Sequence, residues 1–199
     1  MHNAIEAAVG SLPLPGETAS GDRHVAVEIP EGVVLAVIDG LGHGPEAAHA
    51  AERAAAVIED RAMDEPLLAL VRSCHAALGG TRGVVMNLAS IDVSQKTMTW
   101  IGIGNVEGRL LLKTNDRGYA QQHMLLRPGV VGQRVPNLQT SATRIARGDV
   151  LIFATDGIDP DFANDLDIDA PAERIADTIV ARHWKHTDDA LVLVARYRG

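Results

Sequence analysis

The sequence contains one cysteine and few aromatic residues, and both shortages exclude classes of function. The single cysteine, Cys74, cannot form an internal disulfide and excludes a zinc site built from several cysteines. Its apolar neighbours predict a buried helical position rather than a catalytic thiol. Aromatic residues make up 3% of the 199 residues, so the core must consist mainly of Val, Ile, Leu and Ala. The stacking platforms that usually bind single-stranded nucleic acid are therefore lacking.

The chain also lacks a basic cluster and a long apolar run. Its net charge of −8 disfavours nucleic acid and anionic membranes as partners. No apolar run approaches the ~20 residues of a membrane span, and residues 1–16 lack the basic and apolar regions of a secretory signal. We expect a cytoplasmic protein with one domain over residues 1–199, in which the excess of acidic residues could serve cations.

The hydrophobic pattern predicts an α+β fold. Strands are predicted over residues 24–29, 33–38, 83–92, 97–103, 107–113, 120–126, 140–145, 150–154 and 190–197. Helices are predicted over residues 45–62, 65–78 and 170–184. Segments 24–29 and 33–38 resemble a hairpin, and segments 140–145 and 150–154 are predicted to form a further strand pair. Runs of strands joined by short turns favour two antiparallel β-sheets packed as a sandwich, with helices on the outside.

Four aspartates lie where predicted strands begin or end: Asp22, Asp39, Asp156 and Asp188. Strand ends of a two-sheet sandwich can converge at one rim, where clustered carboxylates would repel one another. A divalent cation relieves that repulsion, and Mg²⁺ and Mn²⁺ prefer carboxylate ligands and water. Each aspartate taken alone could equally be a turn residue. The repeated Asp-Gly after an apolar strand, at residues 39–40 and 156–157, favours the metal-binding interpretation.

Five segments together resemble one protein family. They are Ser20-Gly21-Asp22, VIDGLGHGPEAA at residues 37–48, Ile103-Gly104-Asn105, RGDVLIFATDGI at residues 147–158 and TDDALVLV at residues 187–194. In this order they resemble the motifs of the metal-dependent protein phosphatase (PPM) family, in its bacterial SpoIIE-like branch. The resemblance extends from about residue 18 to residue 196, and it is most specific for RsbX-type phosphoserine phosphatases, because Gly104-Asn105 stands where many relatives have Gly-His.

The resemblance implies a metal centre with two Mn²⁺ or Mg²⁺ ions. Asp39 would bridge the ions, and the Gly40 carbonyl would bind one of them. Asp156 and Asp188 would complete the protein ligands, and Asp22 would contact the metals directly or through water. A water activated by both ions would attack phosphorus in line, so the side chains counted as catalytic are these four aspartates.

The resemblance also implies a substrate. RsbX-type enzymes act on phosphorylated regulators of stress-response sigma factors, so the partner would be a phosphorylated STAS-domain protein or a stressosome component. Two alternatives remain open: a catalytically weak module that binds the same regulators, and a hydrolase of small phosphoesters. The four intact acidic positions argue against the first alternative.

The sequence departs from the family pattern at the proton donor and at the phosphate clamp. Leu41 follows the first Asp-Gly where animal and plant type 2C enzymes carry His, and residues 17–20 lack their phosphate-binding Arg. His43 could replace the acid that protonates the leaving group, or it could be only a loop residue at a helix start. Arg23 is a candidate phosphate contact. His183 and His186 have too few partners to predict zinc, and Asp189 is expected to support the ligands rather than bind metal.

Overall fold

The computed structural model describes residues 4–17, 19–114, 118–135, 137–164 and 166–199. Its strands are β1 (Ile5–Leu12), β2 (Asp22–Ile29), β3 (Gly32–Gly40), β4 (Val84–Asp92), β5 (Thr97–Ile103), β6 (Glu107–Lys113), β7 (Tyr119–His123), β8 (Leu126–Arg127), β9 (Ser141–Arg144), β10 (Val150–Ala154) and β11 (Ala190–Tyr197). Its α-helices are α1 (Pro45–Arg61), α2 (Leu67–Ala77) and α3 (Ala172–His183), and a short 3₁₀ helix covers Pro160–Ala163.

The strands form two sheets. One sheet has the order β1-β11-β10-β6-β7, and the other has the order β2-β3-β4-β5-β8, with β9 also paired to β5. Side chains alternate between the two faces of each strand. In β3, Leu35 and Val37 face the core between the sheets, whereas Ala36 and Ile38 face the helices α1 and α2. The predicted antiparallel sandwich with outer helices is therefore confirmed.

Each outer face of the sandwich carries its own apolar layer. Helices α1 and α2 cover the β3-containing sheet through residues such as Ile58 and Leu70. Helix α3 covers the β11-containing sheet, where Ile179 packs in one cluster with Val194. The order of layers is therefore helix, sheet, sheet, helix, which leaves the rims of the sandwich as the places where strand ends from both sheets can meet. No helix in the described part of the chain is long and apolar enough to cross a membrane.

Three details of the predicted architecture were wrong. Segments 140–145 and 150–154 do not pair, because β9 joins β5 in one sheet and β10 lies between β11 and β6 in the other. The predicted strand 120–126 is divided into β7 and β8, and β8 pairs with β5 in parallel rather than antiparallel. Strand β1 was not predicted, although it pairs along its whole length with β11.

Candidate metal centre

Asp22 and Asp39 form a directly opposed carboxylate pair. Asp22 is the first residue of β2, and the antiparallel register places it opposite Asp39, near the end of β3. The alternation along β3 puts Asp39 on the same face as Val37, which faces the space between the sheets. Asp22 is only 5% exposed, and one of its oxygens accepts a hydrogen bond of 2.8 Å from the hydroxyl of Thr155. Two acidic groups thus lie side by side at the rim of the sandwich.

The second sheet contributes Asp156 and Asp188 to the same region. Asp156 follows Thr155 just beyond the end of β10, and Asp188 lies two residues before the start of β11. Asp156 is exposed, and one of its carboxylate oxygens accepts a hydrogen bond of 2.7 Å from the side-chain amide of Asn105. The structure therefore gathers all four predicted aspartates, two from each sheet, within electrostatic reach of one another.

Burial and mutual repulsion raise the pKa values of Asp22, Asp39 and Asp188. Burial, and after it the negative charges of Asp22, Asp156 and Asp188, raise the pKa of Asp39 to about 9. Burial also raises the pKa of Asp22 to about 8, although the hydrogen bond from Thr155 acts in the opposite direction. The pKa of Asp188 is raised as well, first by burial and then by its acidic neighbours. Without a cation, ionising this cluster near neutral pH is therefore costly.

The donor set fits a hard divalent cation. Carboxylate oxygens are the protein ligands that Mg²⁺ and Mn²⁺ prefer, and a dication reverses the repulsion that raises these pKa values. Within the described ranges, no three His, Cys, Asp or Glu side chains form a ready-made ligand cage. The assignment of individual ligands, including the Gly40 carbonyl, therefore stays a prediction.

Two glycines of the repeated Asp-Gly motif are required by close backbone contacts. A Cβ atom on Gly40 would lie 2.2 Å from the carbonyl oxygen of Ala47 in the first turn of α1. A Cβ atom on Gly157 would lie 1.9 Å from the carbonyl oxygen of Asp189. Each glycine thus lets another backbone segment pack directly against the residue that follows an aspartate. This packing fixes the position of Asp39 against α1, and that of Asp156 against the segment before β11.

Asp189 connects two segments of the site and is the most completely buried acidic residue there. It is 3% exposed, and its two carboxylate oxygens accept hydrogen bonds from the backbone amides of Leu14, at 2.7 Å, and Gly21, at 2.6 Å. Because both oxygens already have partners, this carboxylate is poorly placed to bind metal. It instead ties the segment before β2 to the start of β11, which supports the prediction of an indirect role.

His43 lies in the loop after Asp39, with its Nδ1 2.7 Å from a carboxylate oxygen of Glu17. A carboxylate at Nδ1 favours the tautomer or protonation state that carries hydrogen on that nitrogen, and it leaves Nε2 available for another partner. The side chain is 61% exposed, and when the ring is protonated its charge lowers the pKa of Asp188. Glu17 thus fixes one side of the His43 ring near the cluster, and the role of His43 as proton donor stays a prediction.

Other candidates from the sequence have structural partners. The guanidinium group of Arg23 donates hydrogen bonds to the carbonyl oxygens of Ser20 and Asp22 and to the carboxylate of Glu52. Arg23 therefore connects the start of β2 to α1, and this geometry does not support the predicted phosphate contact. His186 packs against the Trp184 ring, with centroids 4.1 Å apart, and Cys74 lies on the buried side of α2, where its thiol contacts the Ala54 carbonyl oxygen of α1.

Sequence reasoning missed four supporting residues: Glu17, Asn105, Thr155 and Lys185. Thr155 and Asn105 belong to the recognised motifs but had been given no role, and each donates a hydrogen bond to a site aspartate. Lys185 donates a hydrogen bond of 2.8 Å to the carbonyl oxygen of Asp156. Glu17 gave no signal because its partner His43 is 26 positions away in the chain.

Comparison with known proteins agrees with this geometry. Residues 30–198 match the family described as Stage II sporulation protein E (SpoIIE). The chain is 23% identical to the phosphoserine phosphatase RsbX of Bacillus subtilis (strain 168) over 193 residues. The aligned region covers 96% of this chain and 94% of RsbX.

Solved structures extend the comparison to the whole fold. A protein from work on the bacterial stressosome, a modular system adapted to control secondary messenger signaling, is 32% identical, with a TM-score of 0.85, over 96% of this chain and 99% of its own. RsbX in complex with magnesium has a TM-score of 0.86 at 22% identity, over 99% of this chain and 97% of its own. The catalytic domain of the serine threonine protein phosphatase PstP with two manganese ions has a TM-score of 0.68 at 17% identity, over 98% of this chain and 99% of its own.

The family match covers most of the chain, and the motifs that carry the resemblance form the rim at which the four aspartates meet. The chain belongs to the SpoIIE family and is a PP2C-type serine/threonine protein phosphatase similar to RsbX.

Proposed function

We propose that this chain removes phosphate from phosphoserine or phosphothreonine on a folded bacterial regulator, either a STAS-domain protein or a stressosome component. Mg²⁺ or Mn²⁺, held by Asp39, Asp156 and Asp188 with Asp22 and the Gly40 carbonyl, would serve as cofactor. The observation that carries the proposal is the directly opposed pair of the buried Asp22 and the half-buried Asp39, with carboxylates of the second sheet beside it. The metal ions, when bound, would acidify a water and neutralise charge on the phosphoryl group.

The chain's own residues orient the reacting groups. Asn105 holds Asp156 through its carboxylate, and Thr155 holds Asp22. Glu17 orients the His43 imidazole, which would deliver a proton to the departing serine or threonine oxygen. Proton delivery matters for these substrates because an alkoxide is a poor leaving group. The site therefore has groups for both the attacking and the leaving side of the reaction.

The proposed substrate class is supported by the relatives and by the surface beside the site. RsbX is a phosphoserine phosphatase, and a 32% identical relative was solved in work on the stressosome. Residues 128–130, 133 and 134 line a cavity of about 540 Å³, and in the same loop Val131 pairs with Val84 next to Gly40. This loop, with the helix after Gly44, provides a shaped surface on which a folded partner could rest. We place the reaction in the cytoplasm, where such regulators act.

The experiment compares a folded phospho-STAS protein with a short phosphopeptide copied from its phosphorylated site, at fixed Mn²⁺. We expect kcat/KM to be at least ~10²-fold higher for the folded protein, which equals roughly 2.7 kcal/mol of additional transition-state binding. Similar values would refute recognition through the partner surface and indicate a phosphatase of broad specificity. The Asp39→Asn variant, in which a proposed metal ligand is weakened, serves as the control for contaminating activity.

A further inference from the structure

A cavity of about 630 Å³ lies beside the loop that follows Asp39. One wall is the exposed face of α1, where Glu46, His49 and Arg53 are spaced so that they share one side of the helix. The opposite wall is the turn at residues 79–82, which ends in Arg82. The cavity is therefore an open cleft between a helix face and a turn.

The charged groups of this cleft are unevenly paired. Arg82 forms an ion pair with Glu46, and both side chains are exposed, at 48% and 70%. The side chains of Arg53 and His49 have no hydrogen-bond or ion-pair partner in the described part of the chain. Two arginines and one glutamate thus line the cleft, which gives it local positive charge in a protein of net charge −8. An exposed pair such as Arg82–Glu46 is weak enough to exchange partners.

The cleft is joined to the proposed metal centre. A Cβ atom on Gly42 would lie 2.8 Å from a guanidinium nitrogen of Arg82, so Arg82 lies against the loop that begins at Asp39. The backbone amide of Leu41 also donates a hydrogen bond of 3.1 Å to the carbonyl oxygen of Gly83, directly after Arg82. A chain segment that leaves the reaction centre along this loop would enter the cleft.

We propose that this cleft binds an acidic segment of the phosphoprotein substrate, next to its phosphorylated residue; the substrate part of this inference rests on the proposed function. Carboxylates of the segment would pair with Arg53 and would replace Glu46 as the partner of Arg82. Arginine suits this role because its planar guanidinium group binds carboxylates through two parallel hydrogen bonds. The two arginines lie on opposite walls, so an extended segment with several carboxylates satisfies both.

The test is a binding measurement that needs no catalysis. Two fluorescein-labelled peptides share one serine, flanked by Glu in one peptide and by Gln in the other, and are titrated with metal-free protein in the presence of a chelator. We expect the Glu peptide to bind at least ~5-fold more tightly than the Gln peptide. This preference should shrink at about 0.5 M salt, because the charges of the cleft are exposed.

Arg53→Glu should abolish the preference for the Glu peptide, whereas Arg174→Glu, the same change on the exposed side of α3, should leave it intact. Equal affinity for both peptides, or equal behaviour of the two variants, would overturn the proposal. Displacement of the Glu peptide by excess inorganic phosphate would also overturn it, because the cleft would then be a phosphate site.

A parallel assay with p-nitrophenyl phosphate and Mn²⁺ separates this inference from the proposed function. Turnover without a peptide preference refutes the cleft alone. A peptide preference without turnover supports the cleft as an acidic-segment site and refutes the proposed catalysis.

Discussion

At the scale of single residues, neighbouring acidic side chains have opposite effects on stability. Asp39 faces other carboxylates, so burial and repulsion raise its pKa to about 9. Asp189 is more deeply buried than Asp39, but both of its oxygens accept backbone hydrogen bonds. A buried carboxylate that accepts enough hydrogen bonds supports the fold, whereas one with few hydrogen-bond donors nearby is suited to binding a cation.

This contrast can be tested with Asp189→Asn. The amide would keep one acceptor oxygen and turn an NH₂ group toward the backbone amide of Leu14 or Gly21, so a buried hydrogen bond is lost. We expect a loss of about 1–3 kcal/mol in the free energy of unfolding, measured by urea denaturation of the metal-free protein. Unchanged stability would show that Asp189 does not brace the site.

His43 provides a second test at this scale. If it protonates the leaving oxygen, His43→Ala should slow phosphoserine substrates by about 10²-fold or more and should slow aryl phosphates little, because these have good leaving groups. Glu17→Gln should also slow phosphoserine substrates more than aryl phosphates, since Glu17 orients the imidazole. Equal effects of His43→Ala on both substrate types would assign His43 a role in loop shape only.

At the scale of elements, the site depends on how closely α1 approaches β3. Gly40→Ala would place a methyl group 2.2 Å from the Ala47 carbonyl oxygen, so helix and strand must separate. We expect a loss of about 1–3 kcal/mol in unfolding free energy, together with reduced Mn²⁺ affinity, because Asp39 moves with the strand. Gly79→Ala is the matched control, since its added methyl group would meet no atom closer than 3.7 Å. Similar stability of both variants would contradict the close-packing account.

The elements that could be predicted from sequence were those with strong local patterns. Apolar runs and alternation predicted β3, β10 and β11, and Pro45 marked the start of α1. Strand β1 was missed because its sequence, IEAAVGSL, alternates weakly, and its pairing with β11 joins opposite ends of the chain. The assignment of β9 and β10 to different sheets follows from tertiary packing, which the short turn between them does not reveal.

The candidate site shows the same division. Its aspartates could be predicted because the Asp-Gly motifs follow apolar strands and resemble a family. The Glu17–His43 contact and the cleft lined by Arg53 and Arg82 could not, because they join segments that are distant in sequence and carry no motif.

At the scale of the whole molecule, the carboxylate cluster makes stability depend on pH. The pKa values of Asp22 and Asp39 are raised from the ordinary 3.8 to about 8 and about 9, so between these limits the folded state binds more protons than the unfolded state. The stability of the metal-free protein should therefore fall as pH rises from about 4 to about 9. The slope approaches about 1.4 kcal/mol per pH unit for each proton by which the two states differ.

Thermal unfolding in chelator across this pH range measures the effect. Asp39→Asn should flatten the profile and raise the Tm of the metal-free protein near pH 8, because a neutral amide takes up no proton when the cluster forms. Added Mn²⁺ should stabilise the natural sequence most at high pH, where the carboxylates are ionised. A stability that rises steadily from pH 5 to pH 9 in chelator would show that the carboxylates do not repel one another as described.

The central claim is that Asp39 lies at the centre of a metal-dependent phosphatase site, and phosphate release tests it most directly. Phosphate release from a phosphoserine protein is measured for three samples: the natural sequence in chelator, the natural sequence with Mn²⁺, and Asp39→Asn with Mn²⁺. Circular dichroism checks that each sample is folded. The account predicts turnover only in the Mn²⁺-loaded natural sequence, with a loss of at least about 10²-fold in Asp39→Asn. Turnover that persists in chelator, or a folded Asp39→Asn variant that keeps most of its activity, would contradict it.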